Sequence, residues 1–295
     1  MTAELLAELV APGGVFVLSG AGMSTASGIP AYRGVGARRQ GAAPMTTQVF
    51  DADPVARRRY WARSHLGWKT IGLAEPNPGH RAVADLQRAG LLHAVVTQNV
   101  DGLHQAGGAT GVVELHGNLG WVRCRGCGAR SGRSELHARL EDANAGWSGT
   151  ALALHPDGDV ELDDEAVGAF RVLSCLRCGG VLKPDVVFFG GTVERGTVLA
   201  TYAALERSRA LLVLGSSLTV MSGYRFVLRA AKLGMPVALV GLGVTRGDHL
   251  ASLTVGLPLQ TVLPAVVARL QSGPTRPDTS VDPVRGATGA ATLLA

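Results

Sequence analysis

Four short apolar runs, residues 15–18, 91–96, 210–214 and 237–240, recur along the chain, each bounded at once by glycine or small polar residues. Runs of this length, bounded by turn residues, predict buried strands of a parallel sheet, and in such sheets ligands sit beyond the carboxyl ends of the strands. Between them lie amphipathic stretches. Residues 4–10 put Leu5, Leu6, Leu9 and Val10 at helical spacing. Asn77-Pro78 opens a helix in which Ala82, Val83, Leu86 and Ala89 share a face before Gly90 ends it, since proline suits the first helical position. The alternation predicts an α/β fold with a Rossmann-like sheet.

The candidate chemistry sits at the strand ends. The first strand runs into SGAGMSTASGIPAYRG, where Gly20 and Gly22 permit close approach. A strand entering glycines and hydroxyl residues, then a helix, brings backbone N–H groups against a phosphate. The spacing is not G-x-G-x-x-G, because position 25 is Thr and the next glycine is Gly28, so an ordinary turn remains the alternative. The second strand ends in TQNVDGLH and would aim Gln98, Asn99 and Asp101 at a ligand. A further short run, 112–115, delivers His116-Gly117 to the same rim, as a base or as a structural imidazole. The last two strands deliver Gly215-Ser216-Ser217 and the stretch from Gly241 to Thr245.

Three stretches depart from this rhythm. Residues 34–76 carry a polar helical segment with Arg and Trp around 57–68 and read as a cofactor flap or helical module. Residues 181–189 are apolar and extended, and Pro184 confines them to an edge or loop. An edge can take up a peptide as an added strand; a core strand is the alternative. The residues from 272 to 295, rich in Gly, Pro, Thr, Ser and Ala, predict a disordered tail.

Composition narrows the picture. The net charge of +5 comes from 25 Arg and 3 Lys without a long basic run, the densest clusters being Arg38-Arg39 and residues 57–59, so a solvated face is preferred over nucleic-acid binding. No 18-residue apolar window exists and the N-terminus lacks a signal pattern, which predicts a cytoplasmic protein with no membrane span. All four cysteines fall in two Cys-x-x-Cys pairs, Cys124/Cys127 and Cys175/Cys178, separated by 47 residues. Four thiolates on two tight turns suit structural zinc, and a closed four-cysteine site leaves no open position for catalysis. Between the pairs, Asp157, Asp159, Glu161 and Asp163 alternate like a calcium loop, but Leu162 and Gly168 stand where Gly and Glu are needed.

In their order along the chain, GAGMSTASGIPAYR, TQNVDGLH, ELHG, the two cysteine pairs, KPDVVFFG, GSSLTV and GVTRGD resemble the sirtuin family of NAD-dependent protein deacylases. The resemblance covers residues 15–264. The runs CGGVLKPDVVFFGGTV and SSLTVMSGYRF are most similar to class II, mitochondrial-type members and their bacterial relatives. It implies a discontinuous NAD domain (1–35, 77–117 and 181–271), a helical module (36–76) and a zinc-binding small domain (118–180). It also implies that Gly20, Ala21, Gly22, Ser24, Arg33, Gly215, Ser216, Ser217 and Gly241 hold NAD. Gln98, Asn99 and Asp101 would surround the nicotinamide and its ribose, and His116 would be the base. Val186, Val187, Phe188 and Gly190 would clamp an acyl-lysine protein or peptide.

Such chemistry traps an oxocarbenium-like carbon with a weak amide oxygen, so positioning is its main demand. A neutral imidazole then takes a ribose hydroxyl proton. Tyr60 and Arg63, one helical turn apart, have the spacing with which some class II members read acidic acyl groups. Two positions depart from the family: Ala31 replaces the usual Asp, and Gly241 a common Asn. They keep open a mono-ADP-ribosyltransferase, a non-catalytic NAD or ADP-ribose sensor and, last, a nicotinamide dehydrogenase.

Overall fold

The structure is a computed structural model describing residues 2–31, 44–149, 162 and 164–272. Strands β1 (Val15–Ser19), β2 (Leu92–Thr97), β3 (Val113–Glu114), β4 (Gly117–Cys124), β5 (Arg130–Gly132), β6 (Leu182–Val186), β7 (Ala210–Leu214), β8 (Val237–Val240) and β9 (Leu253–Val255) form two sheets. The larger is wholly parallel, in the order β3-β2-β1-β7-β8-β9. The smaller is antiparallel, in the order β5-β4-β6. Helices α1 (Thr2–Val10), α2 (Thr47–Ala52), α3 (Pro54–Ile71), α4 (Pro78–Arg88), α5 (Leu103–Ala106), α6 (Arg133–Ala143), α7 (Asp164–Ala169), α8 (Arg195–Glu206), α9 (Met221–Lys232) and α10 (Leu259–Gln271) complete the described residues.

Alternation along β1 explains why the sheet is covered on both faces. Val15 and Val17 point to one side, packing with Leu6, Val83 and Leu263 of α1, α4 and α10. Phe16 and Leu18 point to the other, against Leu205 of α8 and Phe226 and Val227 of α9. Successive side chains of a strand take opposite faces, so a fully buried strand reads as an unbroken apolar run. Each such Val or Leu contributes about 1.5–3 kcal/mol by leaving water.

Chain order moves outward one way through β1, β2 and β3 and the other way through β7, β8 and β9. The topological switch point therefore lies between β1 and β7, where a crevice opens beyond the strand ends. There the two loops touch. A Cβ on Gly20 would stand 2.7 Å from Ser216 Cβ, and one on Gly22 would stand 2.8 Å from the Gly215 carbonyl.

The Rossmann-like reading holds, with two corrections of detail and one alternative resolved in favour of an edge strand. No α-helix comes directly after β1: the chain makes two short 3-10 turns, Ala21–Met23 and Thr25–Ser27, and Gly28 at φ 85° ends them. The stretch 181–189 contributes β6 to the edge of the small sheet and not to the parallel one, and Pro184 is tolerated because an edge strand has one unpaired side. The parallel sheet gains β9, which at only Leu-Thr-Val is too short to stand out as an apolar run. A third core lies in the small module, where Phe50, Tyr60 and Trp61 of α2 and α3 pack with Val122, Leu136, Phe170, Leu182 and Phe188. No helix among the described residues is long and apolar enough to cross a membrane. Arg33, the alternating acidic residues 157–163 and the tail from 273 lie outside the described residues.

Candidate active site

A cavity of about 680 Å³ opens at the switch point. Its wall includes Gly20, Ala21, Gly22 and Ser24 after β1, Gln98, Asn99 and Asp101 after β2, and His116 after β3. Gly215, Ser216 and Ser217 close it from β7, and Gly241 from β8. Tyr60, Val186, Val187, Phe188 and Gly190 line the side facing the small module. Arg63, half-buried on α3, is not on the wall. Ala31 is, and it is buried. Gly241 sits at φ 150° with its Cβ direction 3.3 Å from Gly215 Cα, so this backbone favours glycine over the Asn common in sirtuins.

Directed hydrogen bonds hold the floor. Ser24 Oγ donates to Asp101 Oδ2 at 2.6 Å and accepts from Asn99 Nδ2 at 3.1 Å. The second Nδ2 hydrogen of Asn99 goes to the Gly20 carbonyl. Both amide hydrogens are thus engaged inside the protein, which leaves Oδ1 as the acceptor for a ligand. Burial raises the Asp101 pKa, while the Ser24 hydroxyl and the Leu103 amide work against that rise. The loop after β1 is fastened from α4: Asn77 caps that helix through Gly79 N and reaches Met23 O at 2.8 Å and Ser27 Oγ at 3.0 Å. His80 Nδ1 accepts from the Asn77 amide, so its proton is assigned to Nε2, 3.5 Å from Ser24 Oγ.

His116 is held at both ring nitrogens. The Gln98 carbonyl, 2.8 Å away, can only accept, so Nδ1 carries the proton. Nε2 is then a bare acceptor, and the Ser222 hydroxyl donates to it at 2.8 Å. Burial lowers the His116 pKa, with Arg225 acting in the same sense and the Gln98 carbonyl opposing. The result is a neutral base whose lone pair faces the cavity beside a displaceable hydroxyl. Gln98 is itself fixed, since Ser216 Oγ donates to its Oε1 at 2.7 Å. Ser216 also accepts from the amide of Leu218, the one described non-glycine residue with positive φ, at 56°. Strain of this kind persists where surrounding structure over-determines it.

On the module side, Phe50, Tyr60 and Phe188 meet edge to face or tilted, at centroid distances of 5.1–5.6 Å. The Val187 amide donates to the His116 carbonyl, which ties the clamp segment to the base. Lys183 lies 4.1 Å over the Phe188 ring, and burial depresses its pKa to about 8. Sequence reasoning missed Ser222, Ser19, His80, His104 and Leu218. Asn77 and His80 carry a visible signal, a cap residue with a partner three positions on; His104, Leu218 and Ser222 lie inside runs already singled out, TQNVDGLH and SSLTVMSGYRF, but nothing local assigns them a role.

The four cysteines converge. Their sulfurs all lie within 4.8 Å of one another, with Cys124–Cys178 at 3.5 Å and Cys127–Cys175 at 3.9 Å, and none is disulfide-bonded. Zn–S bonds of about 2.3 Å in a tetrahedron place sulfurs about 3.8 Å apart, so the donor set fits zinc. The amides of Cys127 and Gly126 point at Cys124 Sγ and favour its thiolate.

A parallel sheet with a glycine-bounded switch-point cavity, a neutral imidazole and a four-thiol module defines a nucleotide-binding protein with a structural metal centre. The Sir2 family matches residues 20–222, and the chain belongs to that family. It is 58% identical over 265 residues to NAD-dependent protein deacetylase 1 of Streptomyces coelicolor, covering 90% of this chain and 89% of that protein. It is 49% identical over 254 residues to the NAD-dependent protein deacetylase of Bordetella bronchiseptica, covering 86% and 93%. Among solved structures it is similar to a Sir2 with p53 peptide and NAD+, at TM-score 0.73 and 27% identity over 91% of this chain and 98% of that one.

Proposed function

We propose that this chain is an NAD-dependent protein-lysine deacylase that acts on acetyl-lysine peptides, passing the acyl group to ADP-ribose with release of nicotinamide. The observation that carries this reading is the neutral His116, its Nε2 lone pair held only by the Ser222 hydroxyl at the wall of the cavity that Asn99, Asp101 and the β1 loop also line.

NAD supplies the ADP-ribosyl acceptor by losing nicotinamide. Gly20, Ala21 and Gly22 bring backbone close to its phosphates, and Gly215, Ser216, Ser217 and Gly241 border the opposite side of the same crevice. Asn99 Oδ1 and Asp101 orient the ribose and the carboxamide. His116 Nε2 exchanges the Ser222 hydroxyl for a ribose hydroxyl and takes its proton. Phe188 and the clamp at Val186, Val187 and Gly190 hold the peptide beside the β6 edge and exclude water. Tyr60 lines the acyl end, and Arg63, one turn further along α3 and off the cavity wall, meets only a carboxylate on an acyl chain long enough to pass that wall. Arg33, in the run GIPAYR, is assigned to NAD from the sequence alone. The runs similar to mitochondrial-type class II sirtuins support membership of that branch, and thiols suited to zinc rather than disulfides support a reducing, cytoplasmic compartment.

The test is to incubate protein with NAD and acetyl-, succinyl-, glutaryl-, lipoyl- and long-chain acyl-lysine peptides, monitoring nicotinamide and O-acyl-ADP-ribose. Acyl-dependent release of both, lost in His116→Ala, is expected. Nicotinamide release with covalent labelling of an acceptor protein would make it an ADP-ribosyltransferase, and NAD binding without release a sensor.

A further inference from the structure

His104 lies on α5, 1% exposed and off the cavity wall, with its ring edge-on to that of His80, 5.1 Å between centroids. Burial depresses its pKa to about 4, so at neutral pH the ring holds one proton. The hydrogen-bond directions say which nitrogen has it. Ser19 Oγ donates to Thr97 Oγ1 at 2.8 Å, so its oxygen is free to accept from His104 Nε2, also at 2.8 Å. Nε2 is therefore the donor. Nδ1 is left as a buried acceptor without a partner.

That orphaned nitrogen separates two explanations for the residue. An unmatched buried acceptor destabilises a fold, and a Leu would fill similar volume and still pack on His80, so packing alone does not call for an imidazole here. The chain of bonds does. From Ser19 the order continues to Thr97, whose Oγ1 also accepts from the main-chain amide of Asn99 at 3.0 Å. Asn99 is the cavity-lining residue whose side-chain hydrogens go to Gly20 O and Ser24 Oγ, which leaves Oδ1 as its acceptor for a ligand. A serine hydroxyl is a free rotor, and only a donor on its far side commits it to Thr97.

We propose that His104 is a positioning residue: its Nε2 proton sets the direction of the Ser19–Thr97 hydroxyl chain and so fixes the Asn99 main chain and the aim of Oδ1. This rests on the deacylase reading, in which Asn99 orients the ribose and nicotinamide. Chains of buried hydrogen bonds polarise one another, so removing the far end weakens each link.

The test compares wild type, His104→Leu, His104→Gln, Ser19→Ala and the Leu/Ala double variant by kcat and KM for NAD and an acetyl-lysine peptide, by nicotinamide release and by thermal melting. His104→Leu is expected to lower kcat roughly tenfold, with peptide KM unchanged and melting temperature unchanged or raised. His104→Gln, whose amide N–H can stand in for Nε2–H, recovers most of that loss. Ser19→Ala loses as much as His104→Leu, and the double variant loses no more than either single one, because both break one chain. Full kcat in His104→Leu, a loss that tracks a fall in melting temperature, no recovery in a folded His104→Gln, or losses that multiply would each overturn the proposal. A wild type that releases no nicotinamide sinks the deacylase reading and this proposal with it, whereas an active wild type with an unaffected His104→Leu sinks this one alone.

Discussion

Beneath the cavity and inside the small module the protein buries polar groups in opposite ways. Under the cavity, Ser24, Asn99, Asp101, His80 and the Ser19–Thr97 pair share bonds whose donors and acceptors can all be assigned, with His104 Nδ1 the one orphan at their far end. In the module, Arg133 is 2% exposed, with Nη2 on the Ser64 carbonyl, Nη1 without a partner and no carboxylate paired to it among the described residues. Its guanidinium lies 5.4 Å from the Trp61 ring and 5.0 Å from the Trp68 ring, and burial draws its pKa down to about 10. The site half specifies geometry through hydrogen bonds. The module is held by apolar packing and thiols, and its buried charge rests on a carbonyl and two indole rings with no carboxylate among the described residues. Precision of polar bonding is thus concentrated where a ligand must be aimed.

The largest effect that would sharpen this contrast is loss of the thiol centre. Cys124→Ser is expected to abolish bound zinc and unfold the module, since structural zinc contributes about 10 kcal/mol or more of folding energy. Metal analysis alongside circular dichroism checks it; a metal-free variant with wild-type melting would refute it.

Acid comes next. His80, His104 and His65 are driven by burial to about 3, 4 and 4. Each is neutral when folded and takes a proton when unfolded below about 6.5, so the unfolded state binds more protons in that window. Stability is therefore full above about pH 6.5 and falls as the pH drops toward 4. Urea midpoints across that range read it, and a flat profile would contradict the burial of these rings.

Arg133→Met should be neutral or stabilising, because an apolar chain of similar length fills the space between the two indoles without a buried charge. A melting temperature lower by more than about 2 °C, roughly 1 kcal/mol for a chain of this size, would reveal a counter-charge. The smallest expected change is Arg63→Met, which should lower glutaryl- relative to acetyl-lysine turnover about fivefold, a surface-like ion pair's worth. An unchanged ratio removes Arg63 from acyl selection.

How far the sequence can be read depends on how local the cause is. The four inner strands are legible because a strand buried on both faces must be apolar throughout, and the residues after them fall on the rim by topology. Gln98, Asn99, Asp101 and His116 are placed by that argument alone. The stretch after β1 suggests a helix because glycines and hydroxyls also begin helices; Gly28 in the left-handed region decides otherwise. The Ser19–Thr97–His104 chain is invisible in the sequence because its partners are 78 and 85 positions apart. Arg133 looks like an ordinary polar helix residue, and only the packing of α6 on α3 buries it.

The central claim is that His116 enters the reaction as a neutral, buried base. The most direct measurement is the pH dependence of kcat/KM for NAD, using an acetyl-lysine peptide with no group titrating between pH 4 and 7. Its acid limb reports the base in the free protein. The limb is expected below the ordinary imidazole value of about 6.5 and absent from the residual rate of His116→Ala. A limb at or above that value, or one that persists in the variant, would contradict it.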